Sequence, residues 1–120
     1  SAAFLGSTGV GAGAFGAHAL KSTLEKKPNG VENWKTAVAY QLFHATALLA
    51  LSALSASTSS QKYSLQKFER SGKFMTVGSL LFSGSIYGLT LDMGPRKLLG
   101  PTTPIGGLFM IAGWFMLGIM

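Results

Sequence analysis

Five side chains of this 120-residue chain are placed to do chemistry: His18, Gln41, His44, Tyr87 and Asp92. Each borders or interrupts a long apolar stretch, and an ionisable group inside such a stretch is a functional hypothesis by default, because it is costly to leave unpaired in hydrocarbon. Three kinds of chemistry are open to the set. A histidine ring nitrogen can ligate a haem or chlorophyll, through His44 or His18. A proton or ion can pass along His44, Gln41 and Asp92. A neutral imidazole also donates one hydrogen bond and accepts another, so His44 can instead join Gln41, Tyr40 or a serine across a helix bundle and fix its register.

Other reactive sets are missing. The four acidic residues, Glu25, Glu32, Glu69 and Asp92, fall in linkers or at helix ends and form no facing pair. No GxSxG occurs, and no motif suggests a Ser–His–Asp set. The absence of cysteine excludes disulfides, thiolate metal sites, iron–sulfur clusters and cysteine nucleophiles. GSTGVGAG at residues 6–13 looks superficially like a phosphate loop but lacks the following Gly-Lys-Ser/Thr and sits in an apolar run, so helix packing is its reading. No catalytic residue, metal ligand or required cofactor is assigned, and any haem or chlorophyll contact rests on His44 and His18.

The elements that must carry these residues follow from the placement of charge. Hydrophobic residues make up 48% of the chain and charged residues 12%, about half the share usual in a soluble domain. The charges gather in three clusters, Lys21 to Lys35, Lys62 to Lys73 and Asp92 to Lys97, leaving residues 1–20, 36–61, 74–91 and 98–120 uncharged. A membrane-spanning helix needs about 20 mostly apolar residues, within a range of roughly 17 to 25. The spacing predicts an all-α, four-transmembrane-helix bundle in a single domain, with helices near 1–20, 36–56, 74–92 and 102–120. The net charge of +6 then meets anionic lipid headgroups rather than nucleic acid.

Details refine this outline. Gly9 with Gly13, and Gly84 with Gly88, form GxxxG pairs that let helix backbones approach closely, within the chain or in a dimer. Asn33 suits a helix start and Trp34 an interfacial anchor. The second helix leaves the membrane between Leu54 and Ser60. The basic segment YSLQKFERSGKF, with Tyr63, Leu65 and Phe68, is expected along the lipid interface, and Pro101 and Pro104 set the last helix start near Thr102 or Pro104. Alternation of the helices puts the first and third linkers, and with them all five polar residues, towards one side. His44 then lies about 13 Å inside the boundary marked by Lys35. Six basic residues in those two linkers against four in the second lean towards a cytoplasmic first and third linker. A chain that opens at Ser1 and is apolar by Ala2 suggests an upstream piece, such as an organelle presequence, that has been processed off.

Four segments carry a family resemblance: GAFGAHAL (13–20), WKTAVAYQLFHATAL (34–48), LLFSGSIYGLTL (80–91) and GPTTPIGGLFMIAGW (100–114). In this order they resemble the small membrane proteins grouped as transmembrane protein 256 and its bacterial relatives, a family named for a domain of unknown function. The resemblance spans nearly the whole chain. Its motifs map onto Gly16 and His18, onto Trp34, Tyr40, Gln41 and His44, and onto Pro101, Pro104, Gly106 and Gly107. The chain departs from it by starting inside the first helix and by a longer Ser-rich, basic linker between the second and third. The resemblance implies a four-helix integral membrane protein with no established catalytic activity.

The expected function is a noncatalytic one, an accessory or assembly subunit packed against a larger respiratory or photosynthetic complex. Its partners would be the bilayer and other membrane subunits. The competing readings are a small transport or proton-handling protein using His44, Gln41 and Asp92, and a subunit contacting haem or chlorophyll through His44 or His18. The expected location is the mitochondrial inner membrane or thylakoid in a eukaryote and the plasma membrane in a bacterium.

Overall fold

The structure is a computed structural model and describes residues 2–57 and 62–118. Five helices follow one another: α1 (Ala2–Ala17), α2 (Lys21–Glu25), α3 (Gly30–Ser57), α4 (Lys62–Thr90) and α5 (Arg96–Gly118). The described residues form no strand. The expected membrane exit of the second helix reaches into residues 58–61, outside the described residues.

Helix ends differ from the charge boundaries because charge marks where hydrocarbon stops, not where a helix must. Thus α3 starts at Gly30 rather than near Thr36: Asn29, in the left-handed region at φ 56°, accepts the first helical bond from the Asn33 amide at 2.8 Å. Gly30 is needed there because a β-carbon would run into the Leu24 carbonyl oxygen. Likewise α4 runs unbroken from Lys62 through the basic segment, rather than starting near residue 74. α5 starts at Arg96, upstream of both prolines. Each proline removes one amide and crowds the carbonyl four residues back. For Pro104 that residue is Gly100, around which a β-carbon would find open space.

α1 and α4 end in defined turns. Met93 and Asp92 amides return to the Gly88 and Leu89 carbonyls, at 2.8 and 3.4 Å, closing α4 with Asp92 in the left-handed position at φ 57°. At the end of α1 the Leu20 amide reaches the Phe15 carbonyl at 2.8 Å, so the helix stops at Ala17 rather than 20.

Packing runs in series, α1 on α3, α3 on α4, α4 on α5, with the short α2 tucked against α1 and α3 through buried Leu24. The molecule measures 52 × 28 × 18 Å, less than two helix diameters in its thinnest direction. Leu5, Ala45, Leu48, Leu51 and Met75 form the core, with Ala2, Phe68 and Leu117 at its border. The distribution is inverted relative to a water-soluble fold: Gln41, His44, Ser71, Ser79, Ser83 and Ser85 are buried, while Phe4, Phe15, Phe43, Leu49, Leu108, Ile111 and Phe115 face outward. Among the described residues two helices, Gly30–Ala56 and Arg96–Leu117, are long and apolar enough to cross a membrane.

The closest helix approach is between α4 and α5. Ser71, Met75, Gly78, Phe82 and Ser85 recur at alternating steps of four and three, and so do Leu99, Thr103, Gly106, Met110 and Gly113, the spacing of two helices that pack along a shared seam. At its centre the backbones touch: a β-carbon on Gly78 would lie 2.7 Å from the Gly106 carbonyl oxygen, and one on Gly106 would collide with the Phe82 amide. Hydrogen bonds hold both ends, Ser71 Oγ donating to the Gly113 carbonyl at 2.6 Å and Ser85 Oγ pairing with Thr103 Oγ1 at 2.5 Å. The GxxxG pair on this helix is different. Gly88 meets only the flexible end of Leu99 and the Met93 carbonyl, and Gly84 faces open space, so neither is the closest point of helix packing. On α1, Gly9 and Gly13 do face α3, against Leu42 and Val38.

Candidate functional site

The five polar residues read from the sequence divide into separate groups. Gln41, 5% exposed at the middle of α3, joins three helices. Its Nε2 donates to the Leu5 carbonyl at 2.9 Å and to Thr8 Oγ1 at 2.7 Å, both on α1, and its Oε1 accepts the Tyr87 hydroxyl of α4 at 2.7 Å. Thr8 in turn donates to the Phe4 carbonyl at 2.6 Å. All the protons of this chain therefore point one way, from Tyr87 through Gln41 and Thr8 to a backbone oxygen. A helical carbonyl has two lone pairs, so accepting a side chain from a neighbouring helix leaves its own helical bond intact.

His44, one turn on from Gln41 and 3% exposed, belongs to a different contact. Its Nδ1 lies 2.8 Å from the Tyr40 carbonyl, which can only accept, and its Nε2 lies 3.0 Å from Trp114 Nε1, an indole nitrogen that can only donate. These two partners specify the neutral tautomer with the proton on Nδ1. The Nε2 lone pair that a porphyrin metal would need is engaged by Trp114. Phe43 and Trp114 stand around the imidazole, at ring centroid distances of 5.5 and 6.0 Å, and the pair lies beside an apolar groove of about 600 Å³ between α3 and α5.

His18 and Asp92 lie apart from both groups. His18 is exposed in the turn after α1 and takes part in none of these bonds. Asp92 is exposed beyond α4 and forms an ion pair with Lys27, tying the third connection to the first. The hydrogen bond from Lys27, with the charges of Lys27 and Arg96, holds the Asp92 carboxyl below its ordinary value, against a smaller desolvation effect. A carboxylate depressed in the folded state contributes stability above its unfolded pKa and loses it as pH falls through the folded value. The tie should therefore persist from neutral pH down past the ordinary aspartate value of about 3.9 and fail only below it. Carbon-13 titration of Asp92 checks this: the midpoint should move up in Lys27→Met, and an unmoved midpoint would refute the pairing.

Further residues fasten the helices, and one of them was read differently from sequence. Trp34 is not an interfacial anchor: it is 6% exposed, donates to the Ala12 carbonyl at 2.8 Å and packs on Tyr87 at 4.6 Å between ring centroids. A β-carbon on Gly16 would collide with its indole, so Gly16 is the floor of the Trp34 slot. Ser83 Oγ donates to the Ala37 carbonyl at 2.7 Å and joins α3 to α4. Among the described residues no three His, Asp or Glu side chains converge as a metal site would require.

Comparison with known proteins agrees with this membrane-like arrangement. A family model described as "Protein of unknown function (DUF423)" matches residues 12–107. A UPF0382 membrane protein of Schizosaccharomyces pombe is 40% identical over 116 residues, covering 94% of this chain and 91% of the relative. One from Staphylococcus haemolyticus is 42% identical over 108 residues, covering 90% and 80%. A UPF0382 inner membrane protein of Escherichia coli is 38% identical over 117 residues, covering 97% and 82%. No solved structure matches the chain.

Proposed function

The chain belongs to the DUF423 family and is a small membrane protein, and from that premise we propose that it is a noncatalytic accessory or assembly subunit that packs beside a larger membrane complex. Four helices, α1, α3, α4 and α5, cross the bilayer in this reading. The apolar part of α4 after Lys73, about 25 Å long, sits at the short end of the spanning range, and the 16-residue α1, about 24 Å, falls just below it.

The observation that supports the reading is the use made of the interior polar groups. Trp34, Gln41, Ser71 and Ser83 each bond a carbonyl of a neighbouring helix, and His44 has both ring nitrogens engaged. Such groups set the arrangement of helices and leave large apolar side chains such as Phe4, Phe43, Leu108 and Phe115 facing outward between the charged segments, with α1 and α5 at the two open ends of the series. That surface suits neighbouring helices. An energy-converting complex is the partner class proposed, in the plasma membrane of a bacterium, or in a eukaryote in the mitochondrial inner membrane or thylakoid.

The test is extraction of native membranes in mild detergent, separation on a native gel and mass spectrometry of the bands that hold this chain. Migration with a larger complex at fixed stoichiometry is expected. Migration only near its own mass would overturn the subunit reading.

A further inference from the structure

A cleft of about 370 Å³ opens between the end of α1 and the start of α3, against buried Leu24 and Trp34. Gly13 and Ala17 line it on α1 and Val31 and Val38 on α3, and among the described residues its ionisable lining is Lys21 and Lys35, both exposed. Its two ends differ in depth. Val38 lies one turn further along α3 than Lys35, and Gly13 one turn further from the first connection than Ala17, so the cleft runs from a basic mouth about 5 Å into an apolar segment. There the two helices close together: a β-carbon on Gly13 would lie 3.4 Å from a Val38 methyl.

The charge of this mouth is not balanced from within the chain. Lys27 is paired with Asp92, whereas Lys21 and Lys35 form no ion pair among the described residues, and Glu25 and Glu32, exposed on the same helices, do not line the cleft. A basic pocket between membrane helices at headgroup level recognises anionic lipid, and lysine stems run along apolar surface to present their charge there. We propose that the cleft binds one anionic phospholipid, its phosphate held by Lys21 and Lys35 and the upper part of one acyl chain lying against Ala17, Val31 and Val38. The volume is at the small end of the roughly 300 to 1,000 Å³ of ligand pockets, enough for the phosphate and the first carbons of a chain. The proposal rests on α1 and α3 crossing the bilayer with their connection among the headgroups; a neighbouring complex does not enter it.

The experiment uses the full chain in mild detergent and two phospholipids with the same acyl chains, phosphatidylglycerol and phosphatidylcholine, with the bound fraction of each read by native mass spectrometry. Each lysine beside an anionic headgroup contributes about a fivefold gain, so a preference for phosphatidylglycerol of roughly 30-fold is expected. It should fall to near parity in Lys21→Gln with Lys35→Gln, return in Lys21→Arg with Lys35→Arg, and persist in Lys26→Gln with Lys97→Gln, which removes the same charge outside the cleft. Ala17→Leu, filling an exposed part of the cleft, should weaken both lipids alike. No preference in the wild type, or equal loss in the two glutamine pairs, would overturn the proposal and leave a diffuse attraction of basic surface to anionic lipid. Inorganic phosphate binding that needs both lysines and ignores Ala17→Leu would overturn it in favour of a free-anion site. Without added lipid each lysine variant should keep the wild-type Tm, and a lowered Tm would assign the two lysines to the fold instead of a ligand.

Discussion

Gly106→Ala is expected to destabilise the folded chain by about 2 kcal/mol, mid-range for an overpacked site, and to loosen α5 from α4. One methyl suffices because the atom it meets is the Phe82 backbone amide, with the Gly78 carbonyl oxygen 2.8 Å away, and neither can rotate aside as a side chain does. The comparison variant is Gly84→Ala on the facing helix. It adds the same methyl in open space and replaces a poor helix former with the best, so it should be neutral or stabilising by up to about 1 kcal/mol. Unfolding midpoints in mild detergent distinguish the two. If both variants shift the same way, backbone contact at Gly106 is not what holds the pair together.

The second large effect is expected at Gln41. Gln41→Leu keeps the volume but removes three bonds between helices, each worth about 0.6 kcal/mol on average in a membrane protein. It also strands the half-buried Tyr87 hydroxyl, at a cost of about 1 to 3 kcal/mol. A total near 3 kcal/mol is therefore expected. Adding Tyr87→Phe should recover part of the loss, because the stranded hydroxyl is then gone. A strictly additive double variant would show that the two side chains are not coupled.

How much of this was legible depends on which physical rule each residue obeys. Uncharged stretches located all the long helices, because the rarity of charge in hydrocarbon is a strong rule, but they misplaced starts by up to twelve residues. Nothing stops a helix from continuing into a charged segment, as α4 does from Lys62 to Lys73. Alternation of helix direction put the first and third connections on one side, where Lys27 meets Asp92. The same argument could not separate Gln41 from His44. They sit on one helix three residues apart, and that step decides whether a side chain turns to α1 or to α5.

The glycine seam was missed for a clearer reason. A search for glycines four apart finds Gly84 and Gly88, whereas the contact follows a seven-residue repeat in which Ser71, Gly78 and Ser85 are small, answered by Gly106 and Gly113. That repeat was there to be read. Trp34 was missed because a tryptophan near a charge cluster usually marks the lipid interface, and only the slot made by Gly16 on another helix turns it inward.

The fastening of each helix to its neighbour through carbonyls that keep their own helical bonds has an optical consequence. Undocking would leave the helices intact, so circular dichroism would hardly change when the arrangement is lost. The two tryptophans of the chain report instead: Trp34 stands between α1 and α3, and Trp114 between α5 and α3. With one replaced at a time, the fluorescence of the other becomes a gauge of a single junction, and the order in which the layers come apart can be read from two colours of the same residue.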